Sequence, residues 1–216
     1  MKPNCIFFDL DGTLTDSGPG ILASVAYALR KLGVEPPAPE KLRPFIGPPL
    51  LWSFAHFYGF DEEKSREGVR LYREYFTAGG MFENSVYPGI PEALERLRDA
   101  GFRLAVATSK PEQFSRQIIA HFGLDGYFEA VCGASMDETR TDKADVIRYA
   151  MDTLGVAPEE SLMVGDREHD VLGAKAVGLP CLGALWGYGS REELTNAGAD
   201  ALAETPEELS ELILRM

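Results

Sequence analysis

The sequence predicts an α/β fold, a parallel sheet core with helices on both faces, interrupted once by an inserted all-helical block. Three observations predict it. Short apolar runs rich in β-formers recur along the chain, each followed by apolar residues at helical spacing, the pattern of βα units feeding a parallel sheet. The first run, residues 5–10, is nearly unbroken, as a strand covered on both faces requires. From residue 16 to about 85 no convincing strand occurs, so this block stands outside the sheet layer. The expected domains are therefore a core of residues 1–15 and 86–216 and a helical insert of residues 16–85.

After the first strand, Ile21, Leu22, Val25, Ala26, Leu29 and Leu32 share a helical face between residue 17 and about 33, with Asp16 or Ser17 as N-cap. Pro36, Pro37 and Pro39 end this helix, and two more helices are expected over about 50–58 and 62–76. At Tyr87-Pro88-Gly89 the pattern changes. A helix at 90–100, closed by Gly101, precedes a buried strand at 103–108, and a helix at 111–122 ends at Gly123. A short strand near 130–132 leads to a helix at 143–154 stopped by Gly155. The strand at 162–165 runs into Asp166; a helix at 170–177 and a strand at 181–185 follow. Ser190 with Glu193 and Thr205 with Glu208 read as capping boxes opening the last two helices, with an edge strand at 199–202 between them.

The chain carries 21 basic and 34 acidic residues, a net charge of -13, which argues against a nucleic-acid backbone or an anionic membrane as partner. A small anionic substrate stays compatible, because a bound cation reverses the sign locally. Cys5, Cys132 and Cys181 are widely spaced and set in apolar runs. They read as buried free thiols of a reducing compartment, with no metal-ligand spacing. No apolar signal segment opens the sequence, and no run approaches the roughly 20 residues of a membrane span. The expectation is a cytoplasmic protein, monomer or homodimer, acting on a small molecule.

Chemistry-bearing residues gather where strands end, and in parallel sheets ligands bind at the carboxyl ends of strands. Asp9 and Asp11 follow the first run, with Gly12 able to turn the chain so that both carboxylates sit at the mouth of the sheet. Two crowded carboxylates repel unless a cation or a proton intervenes, which points to chemistry rather than stability. The second strand ends in Thr108-Ser109-Lys110-Pro111, a hydroxyl pair expected at a helix N-terminus, where free N–H groups seat a phosphate. Lys143 opens a helix, a position unfavourable to a cation unless it faces an anion. The strand at 162–165 ends in Gly165-Asp166-Arg167-Glu168-His169-Asp170, two acids four apart at a helix entry. Taken singly, Thr108 or Ser109 reads as an N-cap, Lys143 as a surface lysine and Asp170 as a capping residue.

Together, Asp-x-Asp-Gly-Thr, Thr-Ser, Lys and Gly-Asp-x-x-x-Asp, each at a strand end and in this order, resemble the motifs of the haloacid dehalogenase-like hydrolases over essentially the whole chain. The resemblance implies a Rossmann-like core with an inserted α-helical cap domain. Residues 43–50 (Arg-Pro-Phe-Ile-Gly-Pro-Pro-Leu) resemble the cap segment of the phosphoglycolate phosphatase branch, and residues 165–189 look most like its 5′-nucleotidase-like members. The implied activity is Mg²⁺-dependent hydrolysis of a small phosphate monoester, of phosphoglycolate or nucleoside 5′-monophosphate type. Asp9 would be the nucleophile that becomes an aspartyl-phosphate, and Asp11 the acid that protonates the leaving alcohol and then activates water. Thr108 and backbone N–H groups would hold phosphoryl oxygens, Lys143 would neutralise Asp9 and the phosphate, and Gly12, Thr13, Ser109 and Arg43 would contact substrate. Mg²⁺ would be bound by the Asp9 carboxylate, the Asp11 backbone carbonyl and Asp166, with Asp170 ordering its shell.

Two departures bear on substrate rather than mechanism: Ala144 stands where proline is common in the branch, and Arg167, a candidate for substrate or a cap acid, where a small hydroxyl residue is usual. Among the cap residues Arg43, Trp52, His56 and Tyr58, the aromatic Trp52 and Tyr58 are expected to pack between helices. Trp186 or Tyr188 is a candidate to stack on a base. The rival readings are a sugar-phosphate mutase of the same superfamily, which keeps both aspartates, and a catalytically silent binding or regulatory protein.

Overall fold

A computed structural model describes residues 3–137 and 139–216; residues 1 and 2 of the expected core lie outside the described residues. The chain forms two compact units, one of the residues up to Asp16 together with Val86–Met216, the other of Ser17–Ser85.

The larger unit is built on six parallel strands: β1 (Cys5–Phe8), β4 (Arg103–Pro111), β5 (Ala130–Ala134), β6 (Ser161–Gly165), β7 (Cys181–Ala184) and β8 (Ala201–Ala203). Their spatial order is β5-β4-β1-β6-β7-β8. Successive strands step outward from β1 to β5, and the chain then crosses back to lay β6 on the other side of β1. The order therefore reverses between β1 and β6, and a crevice opens there at the carboxyl ends. Asp9 and Asp166, which leave these two strands, flank that point.

Among the described residues six helices accompany the sheet: α4 (Ile90–Asp99), α5 (Glu112–His121), α6 (Lys143–Leu154), α7 (Glu168–Ala176), α8 (Arg191–Ala197) and α9 (Pro206–Arg215). β1 is buried along its whole length, which accounts for its unbroken apolar run. Cys5, Phe7, Ala105, Ala107 and Met163 share a core with Val146, Ile147 and Ala150 of α6 and Val171 and Ala174 of α7. All three cysteines are buried and free, and burial pushes the Cys5 thiol up to about 12.

Several boundaries differ from expectation. β1 stops at Phe8, although the Asp9 N–H still donates to the Val164 carbonyl at 2.9 Å. The chain then coils, with the Leu10 carbonyl accepting from Leu14 and Thr15, and Gly12 takes the left-handed conformation at φ 85°. β4 continues to Pro111 with a register shift between Thr108 and Pro111, and α5 starts only at Glu112. Thr108 and Ser109 thus lie in a bulged strand rather than at a helix N-terminus, because strand pairing with β5 resumes at Pro111.

The smaller unit holds α1 (Gly18–Lys31), α2 (Leu50–Tyr58) and α3 (Glu62–Thr77), with a 3₁₀ segment at Pro39–Phe45. Its core includes Val25, Leu29, Leu42, Phe45, Phe54 and Leu71. Ser17 stands at the N-cap position of α1 but makes no capping bond with its side chain, and the Asp16 carboxylate accepts from Tyr188 instead. Two strands escaped the sequence reading: β2 (Thr15–Asp16) and β3 (Ser85–Val86), too short for any periodicity, form a separate two-stranded sheet. Tyr58 packs as expected, its ring 5.5 Å from that of Phe60. Trp52 does not: it is 49% exposed, with its ring stacked on His56 at 4.3 Å.

No helix among the described residues is long and apolar enough to cross a membrane.

Candidate active site

Asp9 leaves β1 as a buried residue, and its Oδ1 receives the Lys143 ammonium at 2.6 Å. Lys143 is buried at the first turn of α6, where its Nζ also donates to the Ala107 carbonyl at 3.1 Å and lies 2.7 Å from Asp170 Oδ1. The cation at a helix N-terminus is thus explained by two carboxylates, and it is not a surface lysine. Gly173 of α7 makes room for it: a Cβ there would stand 2.6 Å from Lys143 Cγ. Asp170 does two jobs, since its Oδ2 accepts from the Arg167 N–H at 3.0 Å and so caps α7 while its other oxygen meets the lysine.

Asp166 is fully buried. Thr13 Oγ1 donates to its Oδ1 at 3.1 Å and the Tyr188 N–H to its Oδ2 at 2.8 Å. Gly12 is required beside it, for a Cβ on that residue would fall 2.3 Å from Asp166 Oδ2. One carboxylate oxygen each from Asp9, Asp166 and Asp170 lie within 4.8 Å of one another.

Burial raises Asp9 to about 6 against the pull of Lys143, with Asp170 and Asp11 adding to the rise. Burial likewise raises Asp166, reinforced by Asp170 and Asp9. Burial disfavours the Lys143 ammonium, yet Asp170 and Asp9 outweigh it and hold the lysine charged. Four carboxylates (with Asp11) face two ammonium groups (Lys143 and Lys110), leaving two negative charges. An all-oxygen donor set with that excess fits a hard divalent cation such as Mg²⁺.

Asp11 stands apart from the trio. Its Oδ2 receives the Lys110 ammonium at 2.6 Å, while its buried Oδ1 has no hydrogen-bond partner among the described residues. Thr108 is buried, and its Oγ1 accepts from the Lys110 N–H at 3.2 Å, so its own hydroxyl proton remains available to a ligand. Ser109, beside it, is half-buried.

The structure therefore brings Asp9, Asp11, Gly12, Thr13, Thr108, Lys143, Asp166 and Asp170 together through direct contacts or neighbouring strand ends. Arg43 is an exposed residue of the helical unit. Arg167 pairs with Glu193, its Nε 2.7 Å from Oε1. Trp186 donates its indole N–H to the Thr13 carbonyl at 3.0 Å, and Tyr188 its hydroxyl to Asp16 at 2.7 Å. The base-stacking candidates are thus tied at their polar edges to the motif around Asp11. Sequence reasoning missed Lys110, whose signal was a cation following the hydroxyl pair at a strand end.

A family profile described as haloacid dehalogenase-like hydrolase matches residues 6–184. A 5′-nucleotidase of Pseudomonas aeruginosa is 51% identical over 192 residues, covering 89% of this chain and 86% of that protein. The tyrosine-protein kinase PtkA of Mycobacterium tuberculosis is 40% identical over 214 residues, 98% of this chain and 73% of its own length. A phosphoglycolate phosphatase of Vibrio parahaemolyticus is 31% identical over 216 residues, covering 96% and 95%. Among solved structures, a predicted phosphatase from Clostridium acetobutylicum matches with a TM-score of 0.96 at 49% identity over the whole of both chains.

Proposed function

The chain belongs to the haloacid dehalogenase-like hydrolase family and is a phosphoric monoester hydrolase, and from that premise we propose that it hydrolyses a small phosphate monoester through an aspartyl-phosphate on Asp9. A nucleoside 5′-monophosphate is the first candidate substrate and phosphoglycolate the second, after the relatives that carry those names. The observation that carries the mechanism is the separation of the two strand-end carboxylates: Asp9 is buried in the cluster with Lys143, Asp166 and Asp170, whereas Asp11 stands outside it with a buried Oδ1 that has no hydrogen-bond partner among the described residues. Two acids in unlike surroundings suit two unlike roles.

Asp9 attacks phosphorus, the ester P–O bond breaks, and the departing oxygen takes a proton from Asp11. Asp11, now a carboxylate, removes a proton from the water that attacks the aspartyl-phosphate, and inorganic phosphate leaves. The Thr108 hydroxyl donates to a phosphoryl oxygen, with Ser109 and the Gly12 backbone beside it. Thr13 serves the phosphate indirectly, because its hydroxyl is committed to Asp166. Lys143 neutralises the anion on Asp9, without which an anionic nucleophile is repelled by an anionic ester. Mg²⁺, held by Asp9, Asp166 and the Asp11 backbone carbonyl with Asp170 in support, would supply Lewis-acid charge neutralisation at the phosphoryl group. Arg43 is the proposed substrate contact from the helical unit, the partner is a small phosphorylated metabolite, and the compartment is the cytoplasm, where the three free thiols stay reduced.

The test is phosphate release with Mg²⁺ across nucleoside 5′-monophosphates, phosphoglycolate, sugar phosphates and pyrophosphate. A preference for the nucleotides is expected. Phosphoryl exchange between sugar positions without release would establish the mutase instead, and labelling of a tyrosine acceptor would favour the activity named in the kinase relative. Metal-bound, folded protein inert towards all of them would leave a binding protein.

A further inference from the structure

Lys110 is a second buried lysine in the site, and no step of the proposed chemistry gives it a role. Its side chain is 6% exposed and that of Asp11 14%, with Nζ and Oδ2 2.6 Å apart. The backbone is arranged to bring it there. The register of β4 against β5 shifts between Thr108 and Pro111, and such a bulge re-aims the side chains within it. Inside the bulge the Lys110 N–H donates to Thr108 Oγ1 at 3.2 Å. Gly133 on β5 lets the strand approach, for a Cβ there would come within 2.5 Å of the Lys110 carbonyl oxygen. The other oxygen of the same carboxylate, Asp11 Oδ1, is buried and has no hydrogen-bond partner among the described residues. A buried carboxylate oxygen left unbonded is unfavourable, so an unused oxygen at a reaction centre calls for a transient partner.

We propose that Lys110 is a positioning residue for Asp11: its ammonium fixes Oδ2 and thereby presents Oδ1 as the oxygen that exchanges the proton with the leaving group and then with water. This rests on the reading of Asp11 as acid and base. The lysine neither donates that proton nor touches phosphorus; it removes one rotational choice from the carboxylate that does. Misplacing a catalytic group by about 1 Å costs on the order of 10²-fold in rate.

The experiment compares wild type, Lys110→Met, Asp11→Asn and Asp11→Asn/Lys110→Met in the full Mg²⁺-loaded chain, on aryl and alkyl phosphates of rising leaving-group basicity. Asp11→Asn should lose about 10²–10⁴-fold on alkyl phosphates and far less on 4-nitrophenyl phosphate, whose leaving group needs no acid. Lys110→Met should show the same dependence at about 10²-fold, in kcat with KM nearly unchanged. The double variant leaves no Asp11 carboxylate stranded without its lysine and so stays informative should the single lysine variant misfold. It should be no slower than Asp11→Asn alone, since a residue acting through Asp11 has nothing left to position. A loss in Lys110→Met that is equal across leaving groups, or a further loss in the double variant with weakened inhibition by inorganic phosphate, means that Lys110 binds the phosphate directly and overturns the proposal. Should Asp11→Asn itself lose activity equally on every ester, the acid–base reading fails, and the role of Lys110 fails with it.

Discussion

Asp9 is a carboxylate that burial raises and a lysine restrains, and both halves of that balance can be measured. Its pKa in the folded chain, about 6, lies above its ordinary value of 3.8. The folded state therefore binds the proton more tightly than the unfolded state, and its contribution to stability is fully present below about pH 4 and is lost as pH rises through 6. For chelated protein the expected slope from this group is roughly 1.4 kcal/mol per pH unit within that window. Melting curves of wild type and Asp9→Asn from pH 4 to 7 isolate it, and identical slopes in the two proteins would contradict the assignment. The same variant should lose on the order of 10⁶-fold in phosphate release, the scale on which enzymes lose activity with their covalent nucleophile. An Asp9→Asn protein of near wild-type rate would end the aspartyl-phosphate mechanism.

The segment after β7 shows how an element serves a site from outside it. Trp186 to Gly189 lies against the loop that follows β1, with the Trp186 indole on the Thr13 carbonyl and the Tyr188 N–H on Asp166. Its glycines mark the tightest approaches. A Cβ on Gly187 would fall 2.3 Å from the Gly12 carbonyl oxygen and 2.4 Å from Asp166 Cβ, and one on Gly189 1.9 Å from the Asp166 carbonyl oxygen. Gly187→Ala should therefore displace Asp166 and weaken Mg²⁺ binding by about 10–100-fold, the usual effect of disturbing groups that orient a metal ligand. Titration calorimetry with Mg²⁺ reads this directly; unchanged affinity alongside lost turnover would assign the segment to substrate instead.

For the whole molecule the governing quantity is charge confined where the sheet order reverses. Four carboxylates set against two lysines at the mouth of β1 and β6, in a chain already at -13, favour a divalent cation there, the metal of the proposed chemistry. EDTA should silence phosphate release and Mg²⁺ restore it. Mg²⁺ at about 100 times its Kd should also stabilise the chelated protein by about 2.7 kcal/mol, visible as a rise in Tm. Activity that survives chelation, or a melting temperature indifferent to Mg²⁺, would remove the metal from this pocket.

What the sequence determined by itself is the class of fold and the inventory of strand-end groups. The buried runs, the helical periodicities and the glycine stops are local signals: α2 spans Leu50–Tyr58 and α6 Lys143–Leu154, the ranges their apolar spacing indicates. Asp9, Asp11, Lys143, Asp166 and Asp170 were legible because each sits where a strand ends or a helix begins, and a parallel sheet gathers those points on one edge. Pairings lay beyond it. That β4 carries on through a bulge to Pro111, so that Lys110 faces Asp11, depends on hydrogen bonds to β5, some 20 residues further on. That Arg167 meets Glu193, and that Gly173 admits the stem of Lys143, depends on helices packed from distant stretches of chain. Such contacts follow from three-dimensional distance, which spacing along the chain does not encode. Local propensity decides which groups stand at the mouth of the sheet; only the closed tertiary structure decides which ammonium each carboxylate holds.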